Sequence, residues 1–218
     1  MTRLTIIAAA SLLLAGCASF SPDGGFGKVS QLTQERTGQG VALQRSPEDA
    51  QIAQNRVAEL LQAALTADAA VEVALLNNRG LQAKFGDLGI AESELVRAGR
   101  LKNPSLSFGR MSGGGGVEIE RTVLFDILGL LTMPMAKEVG QQRFEQAQYQ
   151  AAYDAVSLAG DVRRAYFDAV AAQELAKFYE QVKETADVSN ELAKRMLQAG
   201  NFNKLAQMRE QAFYADAT

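Results

Sequence analysis

Few side chains in this sequence are suited to catalysis. Glu118 and Glu120 stand two residues apart, as the paired carboxylates of a general acid and base can. Met111, Met133 and Met135 carry thioethers of the kind that bind Cu(I), although methionines near a strand end are more often packing residues. The 218 residues include no His and one Cys, which excludes imidazole catalysis, internal disulfides and thiolate zinc clusters. We therefore expect no enzyme, no cofactor and no bound metal.

The N-terminus predicts an exported protein. Arg3 precedes an apolar run from Leu4 to Ala15, which is typical of a secretory signal peptide and too short to span a membrane. Leu14-Ala15-Gly16-Cys17 resembles the bacterial lipobox, in which the cysteine is acylated and becomes the new N-terminus. We expect residues 1–16 to be a lipoprotein signal peptide and Cys17 to be the lipidation site. The alternative is an ordinary signal peptide with a chance cysteine nearby.

The next hundred or so residues predict a tether followed by helices. Residues 17–45 are rich in Ser, Gly, Gln and Thr, which favours a flexible lipid-anchored tether. Ser46-Pro47-Glu48-Asp49 is a helix start, with a capping serine, a proline and two acidic residues. Residues 46–102 are expected to form a helical pair, the first helix ending near Ala64 and the second running from about Asp68 to Gly99.

Residues 103–127 predict a β-hairpin, because two alternating segments flank a run of four glycines. One face is apolar apart from Arg121, with Leu106, Phe108, Val117, Ile119, Val123 and Phe125. The other face is polar, with Ser105, Ser107, Glu118, Glu120 and Thr122. The hairpin fits two environments: packing on helices with the polar face in water, or a membrane β-barrel with lipid-facing apolar and lumen-facing polar residues. The barrel requires assembly, since two strands alone leave unpaired edges in lipid.

Residues 128–200 predict one long helix, and residues 201–218 the start of a returning helix. Apolar residues, mostly alanines, recur at steps of four and three as in a coiled-coil seam: Ala151, Ala155, Leu158, Val162, Ala165, Ala169, Ala172, Ala176 and Tyr179. One extra step of three to Val182 continues the seam with a shift in phase, at Ala186, Ser189, Ala193 and Met196. A second stripe contains Tyr166, Phe167, Val170, Ala171 and Phe178, and two stripes require helices from other polypeptides.

Five short motifs follow one another around the hairpin. They are Ala74-Leu75-x-Asn77-Asn78-x-x-Leu81, Leu88-Gly89-Ile90-Ala91, Ala98-Gly99-x-x-x-Asn103-Pro104-x-Leu106, Ala165-Tyr166-Phe167-Asp168-x-x-Ala171-Ala172-Gln173 and Arg195-x-x-x-Ala199-Gly200-x-x-Asn203-x-Leu205. In this order they resemble the N-terminal half of TolC-type outer-membrane efflux proteins, in the lipoprotein branch of that family. The resemblance covers about residues 46–218.

The resemblance implies a mainly α fold, with long antiparallel coiled-coil helices in an α-barrel and one β-hairpin contributing to an oligomeric transmembrane β-barrel. Such proteins are homotrimeric, passive tunnels for small-molecule efflux. They sit in the outer-membrane lipid of bacteria, extend into the periplasm, and work with a periplasmic adaptor protein and an inner-membrane pump. The resemblance places Gly200, Asn201, Phe202 and Asn203 at the periplasmic tip that contacts the adaptor.

One departure concerns length. Members of that family contain the helix–hairpin–helix unit twice, whereas this sequence contains it once. We therefore expect either a fragment of a longer gene product or an assembly of more copies than usual. The alternative function is a lipid-anchored periplasmic coiled-coil scaffold without transport activity. No feature predicts nucleic-acid binding, since the net charge is −3.

Overall fold

The computed structural model describes residues 20–113 and 116–218, so Cys17 and the predicted signal peptide lie outside the described part of the chain. The described chain is mainly helical with one antiparallel β-hairpin, as the sequence predicts. Its elements are α1 (Phe26–Thr37), α2 (Pro47–Leu60), α3 (Ala67–Asn77), α4 (Arg79–Ala98), β1 (Ser105–Gly113), β2 (Gly116–Leu124), α5 (Ile127–Gln198) and α6 (Lys204–Asp216). The chain divides into two units, Met1–Gly160 and Asp161–Thr218. Among the described residues, no helix is both long and apolar enough to cross a bilayer.

Residues 20–45 differ from the predicted tether, because they contain helix α1. Gly25, with a φ of +73°, precedes the helix, which buries Val29, Thr33 and Thr37 at steps of four residues. Each threonine hydroxyl donates a hydrogen bond of 2.8 Å to the carbonyl oxygen four residues earlier. These bonds satisfy the hydroxyls, so a polar-looking segment can pack against the core without an unpaired buried group.

The helices of residues 46–102 begin as predicted but number three rather than two. Ser46 caps α2: its Oγ accepts from the Asp49 amide at 3.1 Å, and the Asp49 carboxylate accepts from the Ser46 amide at 3.1 Å. The predicted second helix is interrupted at Asn78, whose backbone is extended, with φ −78° and ψ 106°. The Oδ1 of Asn78 accepts from the Leu81 amide at 2.9 Å and so caps α4.

The core of the first unit is built mainly from α1, α3, α4 and α5, and Val71 and Leu75 of α3 are fully buried. One face of α4 is buried and contains Leu81, Phe85, Leu88, Glu92 and Val96. The face of α5 buried in this unit contains Phe144, Gln148, Ala151, Ala152, Ala155 and Ala159. Phe26 of α1 meets Phe85 edge to face, with ring centroids 5.0 Å apart. On the surface, Lys84 pairs with Asp154 at 2.8 Å and joins α4 to α5.

The buried residues of α5 lie mainly on one seven-residue frame in each unit. Its members are Phe144, Gln148, Ala151 and Ala155 in the first unit, and Ala186, Asn190 and Ala193 in the second. The positions predicted after the extra step of three are all buried or half-buried: Val182, Ala186, Ser189, Ala193 and Met196. Lys183, the position that an unshifted frame would use, is exposed, so burial at Val182 follows the predicted shift, whereas burial of Asn190 follows the unshifted frame.

The second unit is a helical hairpin made by the end of α5 and by α6. Gly200, with a φ of +73°, follows α5, and the Asn201 amide donates to the Met196 carbonyl oxygen at 2.9 Å. Asn203 caps α6, because its Oδ1 accepts from the Ala206 amide at 2.8 Å. These contacts confirm the predicted helix end at Gly200 and the predicted cap at Asn203.

Candidate functional site

The register of the β-hairpin determines which side chains share a face. Leu106 lies opposite Val123, Phe108 opposite Arg121, and Arg110 opposite Ile119. Ser105 lies opposite Leu124, Ser107 opposite Thr122, Gly109 opposite Glu120, and Met111 opposite Glu118. Paired residues of an antiparallel ladder point to the same side, and successive residues alternate. The predicted apolar set Leu106, Phe108, Ile119 and Val123 is therefore on one face, and the predicted polar set Ser105, Ser107, Glu118 and Glu120 is on the other.

Neither face is uniform. The face with Phe108 also has Arg110 and Arg121, which are diagonal neighbours near the middle of the strands. Arg121 was expected on this face, whereas Arg110 was not, although strict alternation from Leu106 places it there. The opposite face includes Met111 and Leu124 besides its polar residues. Val117 lies outside the described side chains, and Phe125 follows the end of β2.

Both faces of the hairpin are exposed. From Leu101 to Met111, and from Glu118 to Arg121, every side chain is exposed. Phe108 is 69% exposed and Phe125 is 71% exposed. The apolar surface continues into the first turns of α5, where the exposed residues are Ile127, Leu128, Leu130, Leu131 and Met135. A continuous exposed apolar surface of this kind marks a contact with a partner protein or a membrane.

An ion pair joins the two ends of the hairpin. Lys102 precedes β1, Asp126 follows β2, and the Lys102 Nζ lies 3.1 Å from an Asp126 carboxylate oxygen. The other carboxylate oxygen of Asp126 accepts from the Gly129 amide at 2.7 Å and so caps the start of α5. Asp126 therefore fixes the point at which the hairpin passes into the long helix.

Residues 20–25 are held against α4 by hydrogen bonds to charged side chains, which was not predicted from the sequence. Glu92 is 5% exposed, and its Oε1 accepts from both the amide and the hydroxyl of Ser21, each at 2.5 Å. The Arg45 guanidinium donates to the carbonyl oxygens of Pro22 and Asp23. The sequence does contain an indication of this contact. Glu92 lies four residues after Leu88 on the apolar face of α4, and a carboxylate buried there needs a hydrogen-bond donor.

The predicted adaptor-contact residues lie together at the turn between α5 and α6. Gly200, Asn201 and Asn203 are exposed and Phe202 is half-buried. Asn190, ten residues before Gly200, is 3% exposed, and its Oδ1 has no hydrogen-bond partner. Within residues 20–113 and 116–218, no group of three or more acidic, His or Cys side chains is arranged to hold a metal ion.

No family model, curated protein or solved structure matches this chain. The site is therefore interpreted from its own residues. In the first unit it consists of an exposed β-hairpin with two chemically different faces and an apolar extension at the start of α5. The turn at Gly200–Asn203 is a separate feature of the second unit.

Proposed function

We propose that this protein is the outer-membrane channel component of a bacterial efflux system, of the TolC type, and forms a passive tunnel as an oligomer. The single observation that carries the proposal is the hairpin, which is exposed on both faces and differs in chemistry between them. An isolated two-stranded hairpin is marginal in water, so an assembly or a membrane must supply its stability.

The dimensions of the hairpin support a membrane barrel. Each strand has nine residues, which fits the roughly nine to eleven residues that a tilted membrane-spanning strand needs. The free edges of two strands would leave backbone groups unsatisfied in hydrocarbon. Strands from other copies would pair with these edges and close the barrel. In that arrangement Leu106, Phe108, Ile119 and Val123 contact lipid, while Glu118 and Glu120 line the lumen.

Arg110 and Arg121 place a condition on this arrangement. An arginine facing lipid costs about 2–4 kcal/mol at the bilayer midplane and roughly 0–1 kcal/mol near the interfaces. Both arginines have long side chains that can extend along the strand toward a polar headgroup. The proposal therefore requires that the hairpin be inserted so that these two guanidinium groups reach an interface.

The helical part supports a periplasmic extension. Helix α5 has 72 residues, far more than the mean globular helix of about 12, and it ends at the exposed turn of Gly200–Asn203. In the proposed assembly, copies of α5 and α6 form coiled coils in an α-barrel, and the turn contacts the adaptor protein that joins the channel to an inner-membrane pump. Acylation of Cys17 would add a lipid anchor in the outer membrane.

The experiment compares two neighbouring substitutions on opposite faces of β1. Phe108→Asp places a charge on the proposed lipid face, and Ser107→Asp places the same charge on the proposed lumen face. The channel proposal predicts that Phe108→Asp abolishes heat-modifiable oligomers and ion conductance in planar bilayers, whereas Ser107→Asp retains both. Equal behaviour of the two variants, or a delipidated wild-type chain that stays a water-soluble monomer, would contradict the proposal and favour a periplasmic scaffold.

A further inference from the structure

An open groove lies between the end of α4 and the beginning of α5, within the first unit. Its volume is about 500 Å³. Gly140 of α5 is buried there, and an added Cβ would lie 3.3 Å from the Leu95 Cα and 3.5 Å from the Ala98 Cβ of α4. The two helices therefore approach closely at Gly140, and this approach closes the groove on one side. We name it the α4–α5 groove, after the residues of both helices that line it, among them Glu94, Arg97, Ala98, Met135, Val139 and Arg143.

The α4–α5 groove continues the exposed apolar surface at the start of α5. Met135 and Val139 line the groove, and both side chains are exposed. Met135 also belongs to the exposed apolar residues that begin at Ile127, which follows the hairpin. The apolar surface next to the hairpin therefore extends into the groove.

The end of the groove away from the hairpin is charged. Arg97 of α4 and Arg143 of α5 line it and are exposed, and Glu94 is the acidic residue of the lining. Two guanidinium groups against one carboxylate leave a net positive charge. Within residues 20–113 and 116–218, neither guanidinium forms an ion pair. Both arginines are therefore available to an anion in the groove.

The two arginines lie at similar levels along the helices. Helices α4 and α5 run antiparallel, since Lys84 near the start of α4 pairs with Asp154, whereas the end of α4 packs at Gly140. Arg97 is within this end of α4, and Arg143 follows Gly140 by three residues, which is about 4.5 Å along the axis. Guanidinium groups donate paired hydrogen bonds to phosphate oxygens. Two arginines at this spacing can bind one phosphate.

We infer that the α4–α5 groove binds an anionic phospholipid of the bilayer that the hairpin enters. This inference deepens the proposed function and rests on it for the position of the bilayer. Arg97 and Arg143 donate to the phosphodiester, and the acyl chains lie along Met135 and Val139 toward the hairpin. The net positive charge of the groove complements the single negative charge of a phosphodiester. Basic pockets beside a hydrophobic belt are suited to acidic headgroups of this kind.

The order of the residues along α5 favours a lipid over a free anion. From the hairpin outward, the exposed large side chains of this surface are apolar from Ile127 to Val139, and Arg143 follows. A phospholipid has the same order, with its hydrocarbon toward the middle of the membrane and its phosphate in the polar layer. A free phosphate would contact the arginines and leave Met135 and Val139 in water.

Lipid retention by the full chain, purified in a mild detergent, tests the inference. The protein is mixed with dioleoylphosphatidylglycerol or with dioleoylglycerol, which has the same acyl chains and no phosphate, and bound lipid is measured by native mass spectrometry. We expect the wild-type chain to retain phosphatidylglycerol in preference to dioleoylglycerol. The double variant Arg97→Gln with Arg143→Gln should retain several-fold less phosphatidylglycerol. Arg209→Gln, at an exposed arginine of α6, is the control and should behave as wild type.

A second variant tests the groove without altering its charge. Ala136→Phe fills the groove and keeps both arginines, so it should also lower retention, whereas Ala64→Phe, at an exposed alanine outside the lining, should not. Circular dichroism shows whether each variant has folded, and Ala136→Phe decides the test if the double arginine variant has not.

Three outcomes would overturn the inference: equal retention of the two lipids, unchanged retention in the variants of the groove, or displacement of the lipid by equimolar inorganic phosphate, which indicates a site for a free anion. Planar-bilayer conductance is measured on the same samples. Conductance without selective retention would reject the lipid site and retain the proposed channel. Selective retention without conductance would support the lipid site and contradict the channel.

Discussion

The side-chain amide of Gln148 donates a hydrogen bond of 3.0 Å to the backbone carbonyl oxygen of Gly25, 123 residues earlier in the chain. Gln148 is buried in the core-facing side of α5. Since a buried amide without a partner costs roughly 1–3 kcal/mol, this bond requires the N-terminal segment to occupy its place before the core is complete. The segment that begins at Phe20 is therefore part of the folded unit.

Gly25→Ala should destabilise the first unit more than any other glycine substitution near α1. Its φ of +73° is unfavourable for alanine, and an added Cβ would lie 2.3 Å from the Phe144 ring and 2.6 Å from the Gln148 amide nitrogen. We expect a loss of roughly 3 kcal/mol, against about 1 kcal/mol for the left-handed conformation alone. Gly38→Ala is the matched control, because its φ is +74° and its Cβ position is open. Urea unfolding followed by circular dichroism measures both, and equal losses would show that the close approach at Gly25 is unimportant.

The N-terminal segment should loosen in acid. The pKa of Asp23 is lowered from its ordinary value of 3.8, first because its carboxylate accepts from the Gly27 amide and then because it accepts from the Gly25 amide. A lowered folded-state pKa gives a stabilisation that is present above the unfolded-state pKa and is lost as the pH falls through the folded-state pKa. Asp23→Asn should therefore reduce stability at pH 7, and its difference from wild type should shrink as the pH falls below 3.8 toward the lowered folded-state pKa. A difference between variant and wild type that stays the same from pH 7 into this acidic range would contradict the assignment.

Replacing the arginines of the hairpin should strengthen membrane insertion. If the face with Phe108 contacts lipid, Arg110→Leu and Arg121→Leu each remove a guanidinium from that face, which stabilises the inserted hairpin by roughly 0–1 kcal/mol for a guanidinium that reaches an interface. The measurement is the urea concentration that extracts the protein from phospholipid vesicles, which should rise for both variants. Arg209→Leu, on α6, is the control and should not change it. A lower urea concentration for the hairpin variants would indicate that the arginines face the lumen or another strand.

Asn190→Leu should stabilise the second unit. The Oδ1 of Asn190 is buried without a hydrogen-bond partner, and removing such a group recovers roughly 1–3 kcal/mol. Leucine has a similar volume and places an apolar residue on the seven-residue frame. Hydrogen exchange of the α6 amides measures the local effect, and slower exchange is expected. Asn190→Asp is the comparison, since a buried carboxylate should speed exchange, and faster exchange in Asn190→Leu would show that the amide is needed.

Local signals in the sequence were sufficient for the hairpin and for several helix ends. The alternation of residues 105–124 predicts the same assignment of side chains to the two faces of the hairpin as the observed register. Successive residues of a strand point to opposite faces, so the pattern allows only one such assignment. Ser46 and Asn203 cap helices as predicted, since capping depends on a side chain and amides within three residues. These features need no information from distant parts of the chain.

Features that depend on distant contacts were not predicted. Helix α1 was not predicted, because its Ser, Thr and Gly content is typical of a flexible segment. Its burial depends on the contact between Phe26 and Phe85 and on threonine hydroxyls that bond to carbonyl oxygens of the same helix. The break at Asn78 was missed, because a continuous apolar periodicity passes over it. The burial of Asn190 in α5 was not predicted, because the seam was traced through apolar and small side chains and this residue is polar. In each case tertiary packing outweighed local composition.

The bond between Ser21 and Glu92 has a consequence for the height of the protein above a membrane. Ser21 follows Cys17 by four residue steps, and an extended chain spans at most about 3.6 Å per residue, or roughly 14 Å over this distance. Because Ser21 is bonded to Glu92, a lipid on Cys17 would therefore hold this part of α4 close to the bilayer surface. The lipid anchor would fix the distance between the first unit and the bilayer surface. It would also restrict rotation of the protein and limit its diffusion to the plane of the membrane before any strand is inserted.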